Sequence, residues 1–503
     1  MTTPPVAEES REAVLAVSVT PGLLLRRTLL GFLLQLLLKA RGFLVVPIYA
    51  RLLGPAGLGV VTLAGAVCGL LGPLLILGLN LGLSLKLVQI RDREVLARGY
   101  RTTIAFSALL AILGSTLVAL GVYRVGGAPL GALQPYAAPF ALLLAATALR
   151  DLALVVPQLR QQAGLFNALS LAMDYGGALL GVFLVWRGFG PAGVLWAAGA
   201  MTGVGILAAI AGTLREFGCR GGLDRGFLAS ALAIGLPALP IGVSQWVLQA
   251  LDNLFLAHYH GQATVGTYGV AYSLASIVLL VLGGLNFVLF PTAAALWAQG
   301  PERLRQFIER SLRLTLVALG LFVAGACLLS DWGVRVLAGS RYGEAATVLP
   351  LIVASWAAFT LIQILQKVAL VVDQNTAALS RCYLATAALN VMLNFLMIPR
   401  WALKGAALAT LVSYLAGVVL MGRIARRSLP TLRVWRALAR PAALILVFAL
   451  GGLGLRASPL AGPLQAVSSA AGLVVAYLLL ARAARALTGE DWRLARAAIR
   501  PQG

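Results

Sequence analysis

The chain has 503 residues, of which 60% are hydrophobic and only 11% are charged. This composition excludes an ordinary soluble globular protein and predicts a chain that lies mostly within a lipid bilayer. A formal net charge of +23 would suggest nucleic-acid binding in a soluble protein. Here the basic residues stand between apolar stretches, so the charge is interpreted as membrane topology and attraction to anionic lipid headgroups.

Stretches of about 20 apolar residues, the length that crosses a bilayer as a helix, recur along the whole chain. Fourteen transmembrane helices are predicted, at Leu29–Ala50, Gly59–Gly82, Thr102–Tyr123, Tyr136–Val156, Phe166–Trp186, Gly193–Leu214, Phe227–His258, Val265–Phe290, Leu312–Leu329, Ala345–Val372, Leu379–Ile398, Gly405–Arg423, Ala437–Leu455 and Pro463–Leu480. The predicted fold class is therefore an all-α integral membrane protein.

The basic residues predict the orientation of these helices. With the N-terminus inside, 28 of the 40 Lys and Arg residues fall in cytoplasmic segments, 8 fall outside, and four lie within spans. Such a bias is typical of cytoplasmic connections. Both termini are therefore expected in the cytoplasm, and no removable signal peptide is expected in residues 1–21. The four scattered cysteines have no metal or redox spacing and are interpreted as packing residues.

Three short motifs recur in the same order, each pairing one span with the sixth span after it. Gly54, Ala56 and Gly59 match Gly261, Ala263 and Gly266 at an offset of 207 residues. The motif "ALVVPQ" at 153–158 matches "ALVVDQ" at 369–374, an offset of 216 residues. The motif "WRGFGPAG" at 186–193 matches "PRWALKGA" at 399–406, an offset of 213 residues. Six is an even number of spans, so both copies enter the membrane from the same side. A parallel repeat of this kind is typical of secondary transporters.

The repeat predicts the domain organisation. The predicted parts are a cytoplasmic tail at 1–21, a first six-helix lobe at 22–215, a linker at 216–225, a second six-helix lobe at 226–423, and two further helices with a C-terminal tail at 424–503. A binding cavity is expected between the two lobes.

Cations in the middle of spans are costly in hydrocarbon and usually line a polar pathway. Lys39 lies about 18 Å along the first span from its cytoplasmic edge, and Gln35 shares its helix face. Arg41 points in another direction and is open to either cavity lining or pairing with another helix. Together with Lys367, Gln245 and Gln249 of the second lobe, these residues form the predicted cationic substrate cavity.

Acidic residues within or beside the spans are candidates for coupling or for a charge switch. They are Asp174, Asp252 and Asp373, together with the adjacent Arg150 and Asp151, for which neutralisation of neighbouring helices is an equal alternative. Asp252 is expected either to pair with a first-lobe cation or to carry a proton. No phosphate-binding loop, catalytic nucleophile or metal-ligand cluster stands out, so neither an ATP-driven pump nor a metal or organic cofactor is expected.

Three segments resemble the polysaccharide flippases of the multidrug/oligosaccharidyl-lipid/polysaccharide exporter (MOP) superfamily. They are Gly42–Ala64, Leu236–Ala275 and Leu389–Tyr414. The resemblance implies translocation of an undecaprenyl-pyrophosphate-linked oligosaccharide from the inner to the outer leaflet of a bacterial plasma membrane by alternating access. It also implies partners that include membrane lipids, a polysaccharide polymerase and glycosyltransferases.

In this interpretation the cations bind the pyrophosphate, the glutamines hydrogen-bond the sugar, and Asp252 or Asp174 competes for the cations or takes up protons. Coupling to H+ or Na+ stays open. The alternatives are a lipid II flippase, a drug/cation antiporter of the same superfamily, and a membrane enzyme acting on lipid-linked sugars.

Overall fold

The structure is a computed structural model that describes residues 21–90, 92–127, 129–160, 162–217, 222–374, 376–455, 463–483 and 486. Every regular element in these ranges is helical. The α-helices are α1 Pro21–Leu75, α2 Leu79–Gln89, α3 Arg93–Val125, α4 Ala137–Leu159, α5 Ala163–Leu171, α6 Gly177–Leu184, α7 Gly190–Phe217, α8 Arg225–His260, α9 Gln262–Ala275, α10 Val278–Trp297, α11 Pro301–Leu337, α12 Ala345–Val372, α13 Thr376–Ser428, α14 Val434–Leu455 and α15 Pro463–Ala483.

Short helical turns of other types join some of these helices. Two are 3-10 turns, at Leu130–Tyr136 and Ser340–Tyr342, and two are π-helical turns, at Ala172–Gly176 and Val185–Phe189. The first π-helical turn joins α5 and α6 without a break, whereas the second contains Gly188 with non-helical torsions, so α6 and α7 are separated by a kink. The all-helical fold class predicted from the sequence is confirmed.

Eight helical stretches of the described chain are long and apolar enough to cross a membrane, and α8 is a ninth if its bent parts form one span. Several of these contain more than one span. A continuous helix of the length of α1 would extend about 80 Å, far beyond a core of about 30 Å. Gly54 interrupts α1 and Ala402 interrupts α13 with non-helical torsions. Dividing the helices at such breaks is consistent with the fourteen predicted spans.

The breaks repeat between the two halves of the chain. Gly54 has φ 70° and ψ 177°, and Gly261, its predicted counterpart, has φ 78° and ψ −179°. Gly190 has φ 54° and ψ −144°, while Ala402 has φ 45° and ψ −123°. Only glycine adopts these left-handed torsions without a steric cost from Cβ. The same backbone turn therefore recurs at the related positions Gly54 and Gly261, and a similar turn recurs at Gly190 and Ala402, within one residue of the pairing that the offset of 213 gives.

The two halves are in close contact where α1 crosses α9, and α1 and α2 also pack against α8. A Cβ on Gly59 would lie 1.9 Å from the carbonyl oxygen of Gln262, and a Cβ on Gly266 would lie 1.9 Å from that of Pro55. Hydrogen bonds also join the two halves in this region. The hydroxyl of Tyr342 donates to the carbonyl of Ala50 at 2.9 Å, and Nε of Arg51 donates to the carbonyl of Leu337 at 3.1 Å. In the predicted topology this contact region lies at the outer membrane face.

The last two helices pack against α11. Tyr477 of α15 is fully buried and donates to the carbonyl of Val317 at 2.9 Å. Its ring lies edge-on to Phe448 of α14, with ring centroids 5.0 Å apart. The two helices that follow the repeat are thus attached to the second half through α11. The division into two lobes with the proposed boundaries stays a prediction.

Candidate functional site: a charged cluster within the first half

One carboxylate holds two arginines together inside the first half. Asp174 accepts from Nη1 of Arg41 at 2.9 Å, from Nη1 of Arg150 at 3.0 Å, and from Nη2 of Arg150 at 2.7 Å. The contact with Arg150 is the two-pronged geometry that guanidinium and carboxylate groups favour. The exposed fractions of the side chains are 11% for Asp174, 27% for Arg150 and 39% for Arg41. The three groups together carry one net positive charge.

The cluster lies deep in the membrane-crossing helices. Arg41 precedes the Gly54 break of α1 by about 20 Å, Arg150 lies about 14 Å from the end of α4, and Asp174 lies about 17 Å from the start of α5. In a hydrocarbon core of about 30 Å these depths place all three groups near the middle of the membrane. Charges at that depth mark a polar pathway or site.

Asp174 sits in the π-helical turn Ala172–Gly176, whose wider turn interrupts the regular α-helical spacing. Such turns occur frequently at functional sites. The neighbouring Tyr175 donates from its hydroxyl to the carbonyl of Leu37 at 2.6 Å, and Tyr49 donates to the carbonyl of Ala178 at 3.0 Å. The first span is thereby fixed to the fifth on both sides of Arg41.

The cluster borders a cavity of about 630 Å³. Arg150 and Asp174 line it, together with Asp151 and the uncharged polar residues Asn80, Ser84, Thr147, Gln158 and Ser170. The cavity is partly open and also lined by apolar residues such as Leu154. Its charged lining is one arginine and two aspartates, so an anionic group bound there would contact Arg150, and the polar residues could hydrogen-bond a neighbouring polar group.

The other residues of the predicted substrate cavity are not part of this cluster in the described structure. Gln35 and Lys39 belong to α1, but their side chains lie outside the described part of the structure. Lys367 of α12 is half-buried, with Nζ 6.0 Å from the ring centroid of Phe290, the geometry of a cation–π contact. Gln245 and Gln249 are half-buried on α8. No contact among the described residues joins them to Arg41.

Asp252 occupies a different environment, a buried aromatic region of the second half. Its Oδ2 accepts from the hydroxyl of Tyr268 at 2.6 Å, and its Oδ1 accepts from the backbone N–H of Asn253 at 3.0 Å. The ring of Tyr268 contacts the ring of Tyr272, which in turn contacts the ring of Trp356. No described cation forms an ion pair with Asp252, so the expected pairing with a cation of the first half is absent from the described contacts.

The two remaining acidic candidates are exposed. Asp151 faces the cavity from α4, directly after Arg150, whereas Asp373 caps the end of α12. Sequence reasoning overlooked Tyr175 and the polar cavity residues of α2. Their signal was available, since Asn80 and Ser84 are four residues apart and so share one helix face.

A family profile described as "Polysaccharide biosynthesis protein" matches residues 48–348, more than half of the chain. The chain belongs to this family. The matched region begins in the first span and includes the charged cluster's Arg150 and Asp174 as well as Asp252.

Two named relatives align with parts of the chain. The succinoglycan biosynthesis transport protein ExoT of Rhizobium meliloti is 27% identical over 334 residues, 62% of each chain. A protein of Haloferax volcanii named as a probable low-salt glycan biosynthesis flippase, Agl15, is 26% identical over 183 residues, 35% of this chain and 36% of its own. The chain thus spans less than two thirds of the length of either relative.

The fold is similar to those of solved membrane transporters, among them a multidrug resistance MATE family transporter of the MOP superfamily, which superposes with a TM-score of 0.64 over 78% of this chain and 95% of that one at 15% identity. The lipid II flippase MurJ in an inward closed conformation superposes with a TM-score of 0.71 over 90% of this chain and 97% of that one. The sequence identity over this superposition is 12%, so the likeness concerns the fold alone.

Proposed function

We propose that this protein is a flippase for an undecaprenyl-pyrophosphate-linked oligosaccharide. It carries that lipid from the inner to the outer leaflet of a bacterial plasma membrane by alternating access, for the assembly of a cell-surface polysaccharide. It is a transporter rather than an enzyme. Polysaccharide polymerase and glycosyltransferases are its proposed partners, and both termini are proposed to be cytoplasmic.

The observation that carries this proposal is the cluster of Arg41, Arg150 and Asp174 beside a polar cavity in mid-membrane. A pyrophosphate is a multivalent anion and can replace one carboxylate as the partner of two guanidinium groups. Asp174 is then the partner of both arginines when the substrate is absent. The cations avoid an unpaired state in the low-dielectric interior at either stage of the cycle.

The fold and the family support the same function. The MOP fold supplies two halves that can alternate, and the family is described by polysaccharide biosynthesis. Proton or sodium coupling stays a proposal, for which buried Asp252 with its Tyr268 partner is the candidate group.

The proposal is tested by a leaflet-resolved assay with purified protein in proteoliposomes that contain a defined undecaprenyl-pyrophosphate oligosaccharide. We expect Arg41→Gln and Arg150→Gln each to lower the flipping rate by about tenfold or more. A charge-assisted hydrogen bond contributes about 1.5–3 kcal/mol, and about 1.4 kcal/mol corresponds to a factor of ten. The matched control is Arg187→Gln, because exposed Arg187 stacks near Phe183 and lines no part of the cavity.

Normal flipping by both the Arg41 and the Arg150 variant would show that the charged cluster takes no part in transport. Parallel vesicles with lipid II in place of the oligosaccharide test the main alternative. Flipping of lipid II alone would overturn the proposed substrate and retain the transport function.

A further inference from the structure

A second concentration of arginines lies far along the chain from the charged cluster, where α11, α13 and α14 meet. Two adjoining cavities of about 520 and 480 Å³ open there. Both are lined by Arg433 and Arg436; the first adds Arg305 and Arg426, and the second adds Arg313 and Arg440. In the predicted topology this is the cytoplasmic membrane face.

The arginines exceed the acids that could neutralise them. Six arginines and two glutamates, Glu302 and Glu309, line the two cavities, which leaves four net positive charges. Both glutamates already bond Arg305: its Nε donates to Oε2 of Glu302 at 2.8 Å, and its Nη1 lies 3.3 Å from Oε1 of Glu309. Among the described ion pairs, none involves the side chain of Arg426, Arg433, Arg436 or Arg440.

The site is held in shape by a contact between helices. Oε1 of Glu309 also accepts from the backbone N–H of Arg433 at 2.8 Å, which ties the start of α14 to α11. Topology alone requires basic residues in a cytoplasmic loop. It does not require that side chains from three helices converge on shared cavities, so this arrangement points to a ligand with a phosphate-like charge.

The surface beyond the cavities indicates what carries that charge. Arg436 and Arg440 continue, at spacings of three and four, into Ala443, Val447 and Leu450 on one face of α14. Val447 and Leu450 are about three fifths exposed, and Trp435 at the helix start is 40% exposed. A basic headgroup pocket followed by an open apolar face and an interfacial tryptophan is suited to a lipid, whereas a free phosphate would need no apolar face.

We propose that this pocket binds the phosphate of an anionic phospholipid, with the acyl chains lying along the exposed apolar face of α14. The site is independent of the proposed transport cavity. It stabilises the packing of α14 on α11 by giving Arg433, Arg436 and Arg440 an anionic partner.

The test uses the purified full-length protein in detergent, with thermal unfolding as the readout. Phosphatidylglycerol should raise the unfolding midpoint by a few degrees, because a ligand that binds only the folded state stabilises it. Phosphatidylcholine and inorganic phosphate at the same concentration should not. The triple variant Arg433→Gln, Arg436→Gln, Arg440→Gln should need at least tenfold more phosphatidylglycerol for the same rise.

The matched control removes three other exposed arginines, Arg215, Arg303 and Arg381, which line neither cavity. It should keep the wild-type response. Native mass spectrometry of bound phosphatidylglycerol gives a second readout if the triple variant unfolds early. An equal midpoint rise with inorganic phosphate or phosphatidylcholine, or an undiminished phosphatidylglycerol response in the triple variant, would overturn the proposal.

Discussion

Asp174 is the residue on which the charged cluster depends, because it is the carboxylate that both Arg41 and Arg150 share. The cluster should tolerate the loss of one arginine better than the loss of the carboxylate. Loss of one arginine leaves a neutral pair, whereas loss of the carboxylate leaves two neighbouring guanidinium groups near mid-membrane. A buried charge without its partner is strongly destabilising.

We therefore expect Asp174→Asn to destabilise the protein by about 2 kcal/mol, a value below that of a fully buried pair because the arginines are partly exposed. Adding Arg41→Gln restores the net charge of the cluster. The double variant should thus be less destabilised than the sum of the single variants. Thermal unfolding in detergent of the wild type, the two single variants and the double variant measures this double-mutant cycle. Exposed Asp373→Asn is the control for loss of a carboxylate. Additive effects would argue against a shared carboxylate.

At the scale of the elements, breaks in the helices determine where the chain reverses. Gly190 and Ala402 occupy similar left-handed torsions at positions 212 residues apart. The first half uses glycine there, whereas the second half accepts the steric cost of a Cβ. The cost of such a conformation for an L-residue is about 1–2 kcal/mol.

Ala402→Gly should relieve this strain and stabilise the protein by about 1 kcal/mol, with some of the gain lost to the greater freedom of glycine in the unfolded chain. A rise in the unfolding midpoint of the purified protein would be the expected result. Ala137→Gly, at the right-handed start of α4, serves as a control that should not stabilise. A fall for Ala402→Gly would mean that Cβ packing outweighs torsional strain.

At the scale of the whole molecule, the backbones of the two halves come into close contact where glycines remove the side chain. The reciprocal contacts of Gly59 with Gln262 and of Gly266 with Pro55 leave no room for a Cβ. In the proposed alternating-access cycle this contact region forms and separates. A side chain placed there should prevent the close contact of α1 with α9.

We expect Gly266→Val to lower the flipping rate by about tenfold or more, since the added atoms would meet backbone that cannot rotate away. Gly65→Val is the matched control, because a Cβ at Gly65 has no neighbour within 4 Å. Gly266→Ala provides a milder variant if valine reduces the amount of protein in the membrane. Wild-type flipping with valine at 266 would show that this close contact is dispensable.

Much of this architecture could be predicted from the sequence, because transmembrane helices follow from apolar length and the repeat from matching turns. The spans were predicted shorter than the helices, since charged ends such as Arg93–Arg101 extend α3 beyond the apolar core. The joining of Arg41, Arg150 and Asp174 was not predicted. It depends on helix rotation and on a π-helical turn that has no apolar periodicity of its own.

The matching torsions at Gly54 and Gly261 have a consequence for the origin of the protein. Duplication of a gene for a shorter ancestor explains why the same bend recurs after the first and seventh spans. That ancestor would have worked as a pair of identical subunits around an axis through the bilayer. Ala402 lies within one residue of the position that matches Gly190, so the copies keep a similar course of the backbone there although their residues differ.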